Sequence, residues 1–130
     1  MTDSPQLPTT SATDGPLFGR AEALHMIGDD EDLLTEVAAL AQTEIARQVA
    51  ALKAALATAD AALARREAHT LKGTVATLGA HAVRDAAMAA EHAAHDGDLA
   101  SAKSHAAHLE TLCARLIDEL SAYRAAPRAA

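Results

Sequence analysis

Apolar and polar positions follow a helical spacing along most of this chain. From Ala61 to Leu78, the residues Ala64, Ala68, Leu71, Val75 and Leu78 recur at steps of 4, 3, 4 and 3. That is the period of a helix burying one stripe. The same rhythm returns between Leu99 and Tyr123, in Ala102, Ala106, Leu109, Cys113, Leu116 and Leu120. A longer segment, about Asp30 to Thr58, offers Leu33, Val37, Leu40, Ile45, Val49, Leu52 and Leu56 as its apolar face. Ala82 to His95 is the most alanine-rich stretch and turns Val83, Ala86, Ala87 and Ala90 inward. Ahead of these four, Leu17 to Ile27 carries Leu17, Phe18, Ala21, Leu24 and Met26. It predicts a short helix lying across one end of the others and broken at Gly28.

The punctuation agrees with this division. Asp29, Asp30, Glu31 and Asp32 stand where a helix begins, so capping and favourable interaction with the helix dipole explain them better than a cation site. Asp60 is placed to cap the next helix, which ends near Gly79. Asp96-Gly97-Asp98 reads as a helix stop followed by a new N-cap. Connections this short force neighbouring helices to be antiparallel, so the expected fold is all-α: an antiparallel up-down-up-down four-helix bundle with the short N-terminal helix across one end. Residues 1–16, rich in Ser, Thr, Pro and Asp without periodicity, are expected to be a disordered tail. The bundle is expected over 17–124, with 125–130 frayed.

Composition narrows the function. Half of the 130 residues are apolar but only 2% are aromatic, which favours closely packed helices over a sheet. A net charge of −7 argues against nucleic acid as a partner, and so does the lack of aromatic stacking platforms. No apolar run approaches the roughly 18 residues of a membrane span. With no apolar signal core at the N-terminus either, the expectation is a monomeric cytoplasmic protein. Cys113, the single cysteine, falls on an apolar stripe and reads as a buried thiol.

Against this acidic background one spot is basic. His69 points roughly 140° away from the apolar seam of its helix. Arg65, Arg66, Lys72 and Gly73 stand at i−4, i−3, i+3 and i+4 from it, the positions that share its face. A neutral imidazole is a good nucleophile near pH 7, and nearby cations can hold an anion attached to it. Gly73 costs about 1 kcal/mol relative to Ala inside a helix, a cost that makes sense where a partner's backbone must come close. The arrangement suits a histidine that accepts and donates a phosphoryl group. It has no adjacent base, carboxylate pair or metal of its own. The pairs His92/His95 and His105/His108 have metal-ligand spacing, but the helix interiors lack the carboxylates of a di-metal bundle. They read as solvated side chains, and no metal site or cofactor is expected. His25 and His81 flank this face without a firm role.

The string His69-Thr70-Leu71-Lys72-Gly73-Thr74, followed by Leu78-Gly79-Ala80, closely resembles the histidine phosphotransfer (HPt) domain family. Its pattern is His-x-Leu-Lys-Gly-Ser and then Gly-Ala, with Thr74 here where Ser is common. The resemblance extends over about Leu17 to Tyr123. It implies that His69 is phosphorylated, that Lys72 steadies the phosphoryl group and that Gly73 leaves room for the partner. It further implies transfer to or from the aspartate of a response-regulator receiver domain, with a histidine kinase or hybrid kinase upstream and Mg²⁺ supplied by the receiver. The protein would then be a phosphocarrier in a two-component phosphorelay, not a self-contained enzyme. Arg65 and Arg66 would belong to the phosphate environment. Leu24, Met26, Ile27 and Ala76 are the candidates for partner docking. The competing reading is a non-phosphorylated helical adaptor that binds and inhibits a receiver or kinase domain.

Overall fold

The computed structural model describes residues 15–127. Five helices follow one another: α1 (Arg20–Met26), α2 (Glu31–Ala57), α3 (Ala61–Ala76), α4 (His81–His95) and α5 (Leu99–Ala125). The four long helices pack as neighbours in chain order, and α5 closes the ring against α2. This is the antiparallel four-helix bundle that the short connections require. The expected tails at 1–16 and 125–130 lie mostly outside the described residues.

Each long helix begins and ends for a local reason. The carboxylates of Asp30, Asp60 and Asp98 accept from the backbone N–H of Leu33, Leu63 and Ser101, each three residues on. Within the block at 29–32, Asp30 is therefore the cap, with Glu31 and Asp32 in the first turn of the helix. At the C-termini the chain turns left-handed and a backbone N–H returns to the carbonyl five residues back: Asp60 to Ala55, Ala80 to Val75, Asp98 to Ala93. At two of these turns the residue with positive φ is Gly79 or Gly97, but at the first it is Ala59 (φ 57°).

Three of the four seams match expectation. Ala64, Ala68, Leu71, Val75 and Leu78 are all fully buried, and so is the α4 stripe of Val83, Ala87 and Ala90. The α5 seam is buried throughout, and burial pushes the Cys113 thiol up to about 12, with Glu110 adding to the shift. The α2 face needs correction in part: Ile45, Leu52 and Leu56 are buried as expected. Leu33 is 41% and Leu40 70% exposed, and Val37 and Val49 are only partly covered. The buried seam is Leu34, Ala38, Ala41, Ile45, Gln48, Leu52 and Ala55, an unbroken 4-3 alternation. Judging by side-chain size favoured the leucines. The bundle instead puts alanines between its helices, which lets the backbones approach closely.

The N-terminal helix also starts later than expected. Residues 15–19 run as a strap before α1. The Leu17 and Phe18 N–H groups both donate to the Glu119 carboxylate of α5, at 2.8 Å for each nearest oxygen. Leu17 is buried, and the Phe18 ring meets Tyr123 edge-on at 5.4 Å. Gly19 donates to the Leu78 carbonyl and lies against Gly79, where an added Cβ would stand 2.7 Å from the Gly19 oxygen. The Gly79 of the Leu78-Gly79-Ala80 string is thus a structural requirement. It turns the chain with positive φ and lets the strap cross at backbone distance. His81, also at this end, ties α4 to α1 through Nε2, 2.6 Å from Glu22 Oε1.

Candidate functional site

The site is built on the outward side of α3, next to α4. The α3 seam fixes the helix rotation, and that rotation carries His69 out of the bundle: its side chain is 65% exposed. The imidazole is not free to swing. Its Nδ1 lies 2.9 Å from Glu91 Oε2, on α4. The other carboxylate oxygen, Oε1, meets the Lys72 ammonium at 2.8 Å and has no further partner among the described residues. One carboxylate therefore holds both the histidine and the lysine three residues after it.

Glu91 is 9% exposed, on a helix face otherwise made of alanine and Val83. Burial pushes its carboxyl up, but hydrogen bonds from Lys72 and His69 and their charges outweigh that and hold it below its ordinary value. It is a carboxylate at neutral pH. A carboxylate only accepts, so the proton in the contact belongs to Nδ1, and in the neutral ring the lone pair is then on Nε2. On this exposed ring Nε2 has no hydrogen-bond partner among the described residues.

The other expected residues fall around this centre. Gly73 faces open space: a Cβ built on it meets nothing within 4 Å, so no sister helix dictates the glycine. Arg65 and Arg66 are exposed and make no salt bridge among the described residues. With Ala62, His69 and Glu91 they line a depression of about 250 Å³. Lys72 is not a free surface cation; its side chain is 25% exposed and its charge is met by Glu91. Of the docking candidates, Met26 is 50% exposed, while Leu24, Ile27 and Ala76 are partly buried. Among the described residues no group of three or more His, Cys, Asp or Glu side chains is placed to hold a metal ion.

Glu91 is the residue that sequence reasoning missed. A signal existed: it falls four residues after Ala87 and three before Ala94, on the inward side of an alanine helix where a lone carboxylate needs a partner. Periodicity reports the face, however, and not what stands opposite on another helix.

Residues 31–125 match the Hpt domain family, a span running from the start of α2 to the end of α5. The chain belongs to that family, and its work is histidine phosphotransfer in a phosphorelay, as a phosphocarrier without stand-alone catalysis. Receiver domains and kinases are the general partners of such domains. No curated protein and no solved structure matched the chain. No helix among the described residues is long and apolar enough to cross a membrane.

Proposed function

We propose that His69 is the phosphoryl acceptor and donor of this domain and that it reacts through Nε2. The observation that carries the reading is the contact between Nδ1 and Glu91, which fixes the tautomer and leaves Nε2 toward solvent. In the forward step the Nε2 lone pair attacks the phosphorus of a partner's aspartyl phosphate. The N–P bond forms, the acyl O–P bond breaks, and the aspartate leaves as a carboxylate. The Nδ1 proton stays on the ring, which becomes positively charged opposite Glu91. In the reverse direction the ring departs as neutral imidazole, so no external base is needed.

Each neighbour has a role in that cycle. Glu91 is a positioning residue: it orients the ring and stabilises the charge that develops on it. Lys72 keeps Glu91 ionised and, once a phosphoryl group is present, stands one turn away to balance its charge. Gly73 clears the surface beside the nucleophile for the partner's backbone. Leu24, Met26, Ile27 and Ala76 are the proposed docking positions, and Mg²⁺ would come with the receiver's own acidic pocket. The His69→Gln protein, incubated with a phosphorylated receiver domain, is expected to take up no acid-labile, base-stable label while keeping its helical circular dichroism. Label on that variant equal to wild type would refute the assignment. A wild-type protein that bound the receiver but never took label would favour the adaptor reading.

A further inference from the structure

The two edges of the His69 ring face different cations. Around the axis of α3, Lys72 stands about 60° to one side of His69 and Arg66 about 60° to the other. Lys72 marks the α4 side, because its ammonium reaches Glu91 there. Arg66 lies on the same side as Glu67, whose charge reaches Arg47 on α2. Nδ1 and the Lys72 ammonium share the Glu91 carboxylate, at 2.9 and 2.8 Å, so Lys72 is held at the Nδ1 edge. The outward bonds of the two imidazole nitrogens point to nearly opposite sides of the ring. A group on Nε2 therefore points away from Glu91 and the ammonium tied to it, toward the side on which Arg66 stands.

Height along the helix agrees. Side chains lean toward the helix N-terminus, so the imidazole covers the turn before it. Ala62, Arg65 and Arg66 belong to that turn, and with His69 and Glu91 they line the depression of about 250 Å³. Arg66 is exposed and makes no salt bridge among the described residues. Ala62 and Leu63, one turn before it, and His69 and Thr70, one turn after, offer it no carboxylate. The Thr70 hydroxyl donates to the Arg66 carbonyl and leaves the guanidinium alone. Glu67, its neighbour in sequence, projects about 100° further round, toward α2. Arg65 differs: it stands about 40° from His69 on the α4 side, the side of the Glu91 carboxylate.

We infer that Arg66 binds the phosphoryl group carried on Nε2 of His69, its guanidinium donating to two of the phosphoryl oxygens. Lys72 balances the charge from the other edge of the ring, through Glu91. A planar guanidinium matches two phosphoryl oxygens at once, which a single ammonium does not. The contact exists only in the phosphorylated protein, so it stabilises that form relative to the free one. The inference rests on the reading of His69 as an acceptor through Nε2 and extends it to the residue that holds the product.

The test needs no partner domain. Phosphoramidate loads the ring directly: the Nε2 lone pair attacks phosphorus, the bond from phosphorus to the donor nitrogen breaks, and ammonia leaves. The phosphorus NMR resonance of the loaded protein is then followed against pH, because a cation bound to the phosphoryl oxygens favours their dianion. Circular dichroism checks that each variant is folded. In Arg66→Gln the midpoint of this titration is expected to rise by at least about half a pH unit. Arg66→Lys keeps the charge but loses the fork, and is expected to raise it by less. Arg65→Gln is expected to move it less than about half as far as Arg66→Gln. A midpoint in Arg66→Gln within about 0.2 units of wild type would overturn the inference. So would a shift in Arg65→Gln as large as that in Arg66→Gln, which would put the phosphoryl group on the α4 side. A wild type that took no label, or took it on Nδ1, would overturn the inference together with the reading of His69. Phosphorus on Nε2 with a midpoint indifferent to Arg66 would leave that reading standing and remove only the role of Arg66.

Discussion

Replacing Glu91 by glutamine isolates the charge on which the proposed mechanism depends. The amide keeps nearly the same shape, and its oxygen can still accept from Nδ1, so the ring stays oriented. What is lost is a negative charge facing a ring that becomes positive as the N–P bond forms. Two unit charges about 4 Å apart interact by about 4 kcal/mol at an effective dielectric near 20. Two features of the site reduce that figure. The imidazole is 65% exposed, and the Lys72 ammonium, 2.8 Å from the same carboxylate, already offsets much of its field. A remaining difference of about 1–2 kcal/mol is consistent with the extra strength of a charge-assisted hydrogen bond. It corresponds to phosphorylation about 5–30 times slower. The assay is the initial rate of label uptake from phosphoramidate at fixed pH, with circular dichroism showing that the bundle is intact. A Glu91→Gln protein that loads within twofold of wild type would refute the claim that Glu91 stabilises the charged ring.

Other perturbations give separate checks. Glu91→Met exchanges a buried carboxylate for an apolar side chain of similar size while Lys72 can reach water; it should leave Tm unchanged or raise it by a few degrees yet slow phosphorylation at least as much as Gln, as calorimetry and label uptake would show. The low pKa of Glu91 means its ionised form stabilises the folded state above the ordinary value of 4.5 and that this stabilisation is lost as pH falls through the lower folded value. The difference in Tm between wild type and Glu91→Gln should therefore shrink below pH 4.5. Gly73→Ala places a methyl in open space and should stabilise the domain by about 0.5–1 kcal/mol in urea unfolding; a loss of stability would mean that the glycine serves packing. Gly79→Ala should instead cost about 1–3 kcal/mol, through its positive φ and the strap carbonyl beside it.

Much of the fold was legible because helical periodicity carries the information locally. The seams of α3 and α5 could be read without any partner helix, and the rotation they fix is what placed His69 outside and Gly73 clear of its neighbours. The α2 seam was misread for a physical reason. Leu33, Val37 and Leu40 satisfy the helical period as well as Leu34, Ala38 and Ala41 do, and only the spacing of the neighbouring helices decides that the smaller set goes inside. The same circumstance leaves Leu33 and Leu40 exposed. Residues 17–19 of the strap suit a helix by their apolar character; the Glu119 carboxylate that captures their backbone is about a hundred residues away in sequence. Glu91 was missed likewise, since its meaning lies in His69 and Lys72 on another helix. A site made within one helix is visible in sequence, whereas one completed across two requires the packing.

The most direct measurement of the central claim is the position of the phosphorus. Protein labelled with ¹⁵N in its histidine rings would be loaded with phosphoramidate and studied by phosphorus–nitrogen and long-range proton–nitrogen NMR correlations. The account predicts one phosphohistidine, at residue 69, with phosphorus bonded to Nε2 and the proton retained on Nδ1 toward Glu91. Phosphorus on Nδ1, or on any of the other six histidines, would contradict it.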